Sequence, residues 1–383
     1  MLKVNPTRSV ARFDYWLLVI IVGLLAIGIM IIGTATLQMV PHQPLYYVYH
    51  QMIWATLGAF VLFIVANVAP SYWQRFGTPI YIVNLFFLIL VLVHGRTALG
   101  AKRWIQIGPF PFQPSEFAKM LIILSLGAFL AKRYGELNRI KDLWLPILYT
   151  AVPMLLIIKQ PDLGTALVFV GILMGMLYMA GAPLRNIILV FGGALAVMVF
   201  WVFLHLKFGI YIPMKTYQLD RLLVFINPYS HPNGAGYNII QSKIAIGSGG
   251  LWGRGLSSVR LGQLSFLPEN YTDFIFAVVG QELGFVGSIT LLLLYLLLLW
   301  RGLYIARLAT DPYTQVVAGG VVSMWAFHIL VNAGMTMGIM PVTGVPLPFV
   351  SYGGSSLMTN AIAVGVLESI YRQKRRIDFN DKG

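Results

Sequence analysis

The sharpest chemical cue in this sequence is a carboxylate at the junction of two kinds of chain. In the run Leu267-Pro268-Glu269-Asn270-Tyr271-Thr272-Asp273-Phe274-Ile275-Phe276, a polar segment gives way to a long apolar one at Asp273. Two roles are open to such a residue. As a helix N-cap it would accept a hydrogen bond from a first-turn amide and stabilise the helix by about 1 kcal/mol. Half-buried at an interface, it could instead have a raised pKa and take a proton from a hydroxyl. Farther along the same run stand Gln281 and Glu282. A carboxylate there is costly in lipid, so Glu282 should face other helices or a wet cavity.

Basic residues recur around this position: Lys102, Arg103, Lys119, Lys159, Lys215, Arg221, Lys243, Arg254 and Arg260. Lys119 and Lys159 stand at or inside the ends of apolar runs, where ionisable groups are costly and usually functional. Arg254 and Arg260 could be ordinary loop charges. As a set these residues point to an anionic ligand such as a phosphate or pyrophosphate, which Arg and Lys suit in charge and donor geometry. Glu116 and Lys119 are three apart on one helical face and can pair. The pair could order a helix start or shape a cavity wall. Ser115, after Gln113-Pro114, is the expected N-cap there. In the turn Lys159-Gln160-Pro161-Asp162, Asp162 could cap the next helix, and Lys159 could neutralise Asp162 or face the ligand.

The segment Gly338-Ile339-Met340-Pro341-Val342-Thr343-Gly344-Val345-Pro346-Leu347-Pro348-Phe349-Val350-Ser351 is dense in Pro and Gly yet uncharged. It should fold in at membrane depth, where irregular backbone is tolerated only when covered or lining a cavity. Ser351 to Ser356, Ser355 among them, open the last helix, so their N–H groups could receive an anion. They do not form a G-x-x-x-x-G-K-[ST] phosphate loop. His42, His50, His205, His231 and His328 lack zinc-ligand spacing, so no metal set is read.

The elements that must hold these residues are membrane spans. Of the 383 residues 58% are hydrophobic and 10% charged, against roughly 25% charged in soluble domains. No soluble fold hides so much apolar surface. Cysteine is absent, which excludes disulfides and thiolate chemistry. Ten runs approach the roughly 20 residues a span needs, near 15–35, 51–69, 79–94, 115–131, 144–158, 164–181, 186–206, 274–300, 314–340 and 353–371. The first is expected to be a retained span rather than a cleaved signal. The fold class is therefore an all-α polytopic membrane protein, a single domain over 1–383, with one long loop at about 207–272. The formal net charge of +14 is assigned to topology rather than to nucleic acid. Lys132, Arg133, Arg139, Lys141, Arg185, Arg301, Arg307 and the tail Arg372, Lys374, Arg375 and Arg376 fall on one side of a ten-span chain. By the positive-inside bias that side, with both termini, is cytoplasmic, and the long loop and Asp273 are outside.

Lys102-Arg103-Trp104-Ile105, Gln113-Pro114-Ser115-Glu116-Phe117-Ala118-Lys119, Gln160-Pro161-Asp162-Leu163-Gly164-Thr165, the stretch Gly236 to Gly250, the Asp273 segment and Ser351 to Ser356 together resemble the SEDS family of bacterial shape, elongation, division and sporulation proteins. The likeness runs from the first span to the last in the family's order. Gln241-Ser242-Lys243 resembles the elongation branch, RodA, more than the division branch, FtsW. The resemblance implies a peptidoglycan glycosyltransferase polymerising lipid II at the outer face of the bacterial cytoplasmic membrane. The implied partners are lipid II, the nascent glycan strand, a class B penicillin-binding protein that crosslinks the product, and other membrane proteins of the elongation complex, with no nucleic acid. Asp273 falls on the family's essential carboxylate, Glu116 and Lys119 on its helix-start ion pair, and Arg103, Lys159 and Asp162 on its cavity motifs.

On that reading a sugar 4-hydroxyl attacks an anomeric carbon whose leaving group is a lipid pyrophosphate. Asp273 is the expected general base. Arg103, Lys119, Lys159, Lys215, Arg221 and Lys243 are expected near the pyrophosphates, with Gln241, Ser351 and Ser355 as further substrate contacts. Glu116, Asp162 and Glu282 shape the cavity. A second carboxylate is not needed, because pyrophosphate leaves without strong protonation. No cofactor is required, although a divalent cation could assist. Two rivals stand beside this reading: a flippase for the lipid-linked precursor, and a non-catalytic scaffold for the crosslinking partner. The strongly apolar inner halves of the runs favour the enzyme over the flippase.

Overall fold

Lipid offers a spanning backbone no water to bond, so each apolar run closes its hydrogen bonds as a helix. The computed structural model describes residues 13–37, 43–98, 101–107, 110–212, 216–230, 236–256 and 269–380. Its helices are α1 (Tyr15–Thr36), α2 (Tyr46–Ala66), α3 (Pro70–Arg75), α4 (Gly77–His94), α5 (Pro114–Ala131), α6 (Trp144–Lys159), α7 (Leu163–Met179), α8 (Leu184–Ile187), α9 (Gly193–Phe208), α10 (Thr216–Ile226), α11 (Tyr237–Gly249), α12 (Ile275–Leu308), α13 (Pro312–Met337) and α14 (Gly354–Asn380). A π turn over Ile188–Gly192 joins α8 to α9 in one continuous rod. All ten expected spans fall on helices. Among the described residues, eight helices are long and apolar enough to cross a membrane. The other two expected spans fall on α7, which has only 17 residues, and on α14, whose far end is basic.

The packing places α5 and α13 at the centre and leaves α9 almost bare. Small residues let the backbones approach. On α7, Gly171 and Gly175 face Phe327 and Ser323 of α13, and on α13 Gly319 faces Met179. Any Cβ added at these glycines would overlap its neighbour. At one end of the bundle Arg301 pairs with Asp14 at 2.7 Å, and Arg372 donates to the carbonyl of Ala66 at 3.1 Å. At the other end the rings of Tyr47, Tyr271 and Tyr352 meet at 4.9–5.6 Å.

Two features depart from the expected plan. The segment between α4 and α5 is a small antiparallel sheet of β1 (Arg96–Ala98), β2 (Ala101–Ile107) and β3 (Phe110–Phe112), in that order. The aromatic and β-branched residues Trp104, Ile105 and Ile107 suit strand pairing. Among the described residues, the long loop also carries two helices, α10 and α11. Ile239, Ser242, Ala245 and Gly249 form the buried side of α11, a helical spacing that the many glycines obscure. The chain after α11 then docks into a break in α12 at Gly284, where φ is 65° and ψ is −161°. The amides of Phe285 and Val286 donate to the carbonyls of Gly250 and Leu251, at 2.9 and 3.1 Å. The carbonyls of Gln281 and Glu282 accept from Arg254 and Gly255, at 3.0 and 3.1 Å. The backbone bonds lost at the break are thus remade between segments.

Candidate active site

Asp273 is carried by a turn and not by the helix that follows. The N-cap of α12 is Phe274, and no side chain caps it. The capping role open in the sequence is therefore not taken. The turn closes on the carbonyl of Glu269, which accepts the amides of Thr272, Asp273 and Phe274 at 3.3, 3.1 and 3.1 Å. Glu269 itself adopts a left-handed φ of 55°. Asp273 is half-buried with its carboxylate turned inward, toward Gly344. A Cβ added at Gly344 would lie 2.9 Å from Oδ2. Burial pushes the Asp273 carboxyl up to about 7, and the negative charge of Glu269 adds to the effect. Arg221 and Arg103 oppose that rise, and Asp162 adds to it. The same groups thus surround the carboxylate as an electrostatic set.

The Pro- and Gly-rich segment 341–353 folds into the protein, as its lack of charge requires. Val345, Leu347, Phe349 and Val350 are buried. The hydroxyl of Ser351 donates to Thr272 O at 2.6 Å and accepts from Leu347 N at 2.8 Å, and Tyr352 N donates to Tyr271 O at 2.9 Å. Ser351 thus latches this loop to the Asp273 turn. Gln51, buried in α2, spans the same loop from behind, donating to Ser351 O and accepting from Gly353 N, each at 3.4 Å. The hydroxyl of Ser355 accepts from Gln113 N at 3.1 Å and donates to Pro111 O at 3.4 Å.

The facing wall is the turn between α6 and α7. Asp162 caps α7, accepting from Thr165 N at 3.2 Å, from the Thr165 hydroxyl at 3.0 Å and from the Ser115 hydroxyl at 3.0 Å. Ser115 is therefore not the N-cap of α5. That position is Gln113, because Pro114 occupies the first helical position. Arg103 donates to the carbonyls of Gln160 and Pro161 and sits 3.9 Å from Asp162. Among the described residues Asp162 is partnered by Arg103, while Lys159 is exposed and makes no ion pair. Arg221, on α10, reaches Thr343 O at 3.4 Å. Lys243 is exposed on α11 with its side chain over Gly338, and Gln241 on the same helix is partly exposed. Lys215 lies outside the described residues.

Glu116 and Lys119 pair at 2.8 Å as their spacing predicts, and both are buried, 4% and 2% exposed. The ammonium also lies 3.2 Å from His328 Nε2, and His328 Nδ1 lies 2.9 Å from Pro346 O. These partners assign the imidazole proton to Nδ1. The pair thus supports the 341–353 loop through His328. Replacing Lys119 by Ala should cost about 3–5 kcal/mol, because it strands a buried carboxylate. Lys159→Ala should stay within about 0.5 kcal/mol. Thermal unfolding of the two variants in detergent compares them. Glu282 is fully buried at the α12 break, accepting from the Thr34 hydroxyl at 2.6 Å. Among the described residues no group of three or more His, Asp or Glu could hold a metal ion.

His328 was weighed only as a metal ligand, and Asn332, Gln51 and Gly344 were not singled out from the sequence. For the first three a signal was present. Each is a polar residue inside a strongly apolar run, and such residues face the protein interior.

This bundle belongs to a known class. Residues 15–376 match the family model described as cell cycle protein, which groups FtsW, RodA and SpoVE. The chain belongs to this family, the SEDS proteins, and is a multi-pass protein of the bacterial inner membrane. It is 37% identical to stage V sporulation protein E of Bacillus subtilis (strain 168), over 94% of this chain and 98% of that one. It is 36% identical to peptidoglycan glycosyltransferase MrdB of Escherichia coli (strain K12), over 97% and 98%. A solved chain from a study of how a peptidoglycan synthase complex coordinates polymerization and crosslinking superposes with a TM-score of 0.79. It is 31% identical and covers 94% of this chain and 98% of its own.

Proposed function

We propose that this chain is a peptidoglycan glycosyltransferase that polymerises lipid II, with Asp273 as the general base, at the outer face of the cytoplasmic membrane. One observation carries the reading: a carboxylate free of capping duty, buried enough to titrate near neutrality, with two arginines in its field. A base is most effective when its pKa lies near the working pH. The acceptor 4-hydroxyl gives its proton to Asp273 as it attacks the anomeric carbon. The glycosidic bond forms as the bond to the lipid pyrophosphate breaks. Arg103 and Arg221, whose charges act on Asp273, would stabilise the charge that leaves, and Lys159, exposed at the same wall, can meet a phosphate from solvent. The base step calls for no cofactor, and a divalent cation could assist at the pyrophosphate.

The distribution of charge supports the outward orientation. Asp273 precedes α12, whose opposite end carries Arg301 and Arg307. The site lies at the start of α5, whose opposite end carries Lys132 and Arg133. The positive-inside bias places those basic ends in the cytoplasm. A class B penicillin-binding protein is the proposed partner, supported by the likeness to a chain from a complex that joins polymerization to crosslinking. The elongation role rests on Gln241-Ser242-Lys243, since relatives at 37% and 36% identity do not rank the branches.

The test is polymerisation of lipid II by the purified chain, with and without that partner. Glycan strands should appear. Movement of lipid II between leaflets without polymer would instead show a flippase. Crosslinking support with no polymer under either condition would show a scaffold.

A further inference from the structure

Asn332 stands five residues before the end of α13 and is completely buried. Its side-chain nitrogen has two hydrogens and two partners: Asp273 O at 2.8 Å and Val345 O at 2.7 Å. One partner is the backbone of the residue that bears the carboxylate. The other follows Gly344, the residue that the carboxylate faces. A single amide therefore fixes both sides of that contact. One helical turn earlier, His328 takes the next carbonyl of the loop, Pro346, and is itself held by Lys119. The face of α13 thus presents two donors to consecutive carbonyls.

The other atom of the amide shows why the residue is polar. Asn332 Oδ1 is buried with no hydrogen-bond partner among the described residues. A residue present only to fill space would be better as leucine, which has similar size and strands no oxygen. Turning the amide over would aim its oxygen at two carbonyls. The nitrogen's work is therefore what the site retains.

We propose that Asn332 is a positioning residue for glycosyl transfer, acting through the Asp273 and Val345 carbonyls to hold the carboxylate against the 343–346 loop. The proposal rests on reading Asp273 as the base. It assigns Asn332 no contact with substrate, so its effect should fall on turnover and not on binding. An error of about 1 Å in a catalytic group costs about 100-fold.

The experiment is steady-state lipid II polymerisation by the full chain with its partner, for Asn332→Leu and Asn332→Ser. Leu removes both donors, and Ser retains one. We expect kcat to fall in the order wild type, Ser, Leu, by about 10- to 100-fold for Leu, with KM within about twofold. The acid limb of the pH profile should move to lower pH as the turn loosens and water reaches the carboxylate. The charged and titratable groups that could also move that limb are Glu269, Arg221, Asp162, Arg103, His328, Lys119 and Glu116, and both variants retain them all. Wild-type kcat in Asn332→Leu overturns the proposal. So does a loss carried mainly by KM, or a lower kcat with an unmoved acid limb. If Leu fails to fold, the Ser variant decides on the same criteria. Asp273→Asn separates the two ideas: if it is inactive while Asn332→Leu is fully active, only the positioning role fails, and if it is fully active, the base reading itself fails.

Discussion

Asp273→Asn should lose lipid II polymerisation by at least about 100-fold, the lower range for removal of a general base, and should gain heat stability at neutral and alkaline pH. The two effects share one cause. Burial raises the Asp273 carboxyl from its ordinary value near 4 to about 7. The fold therefore favours the protonated form. Its contribution to stability is complete below the ordinary carboxylate value and is lost as pH rises through about 7. Asn cannot ionise, so the gap in melting temperature between variant and wild type should open between about pH 4 and 7 and stay level above. Activity runs the other way. The wild-type rate should rise through about pH 7 as the base deprotonates, and that limb should vanish in the Asn variant. A wild-type rate in Asp273→Asn, or an acid limb that survives the substitution, would refute the assignment.

How far the sequence discloses this site depends on the range over which each feature is determined. Hydropathy and length locate the spans, because lipid imposes helix on each run separately. The i, i+3 spacing of Glu116 and Lys119 gives their pairing, which needs only one helix. Asp162 is legible as a cap for the same reason. Ser115 was misplaced by one rule overriding another, since a proline at the first helical position sets the cap at Gln113. Asp273 is a harder case. Whether it caps α12 depends on a turn that closes on Glu269 with a left-handed φ, and no local pattern announces that. The clamp from Asn332 to Asp273 and Val345, and the latch from Ser351 to Thr272, join segments far apart in sequence. A single sequence has no means of registering such pairs. The β1–β3 sheet and the buried stripe of α11 were hidden for the opposite reason, because their periods are short and glycine and proline dilute them.

Gly344→Ala should lower kcat by about 10- to 100-fold while costing only about 1–2 kcal/mol of stability. The position makes two demands that only glycine meets together. Its φ is +71°, a conformation that costs an ordinary L-residue about 1–2 kcal/mol. Its missing Cβ also leaves room for the carboxylate, since an added Cβ would lie 2.9 Å from Asp273 Oδ2. The backbone cannot yield, because Asn332 holds Val345 beside it and Arg221 reaches Thr343 before it. The carboxylate must therefore move, and displacement of a reacting group is what turnover detects most sensitively. Gly344→Asn separates the two demands. Asn tolerates the left-handed region, so it should recover most of the lost melting temperature. It still carries a Cβ, so its kcat should stay as low as that of the Ala variant. Recovery of both stability and kcat in Gly344→Asn would mean that backbone strain, and not crowding of Asp273, is what the glycine relieves.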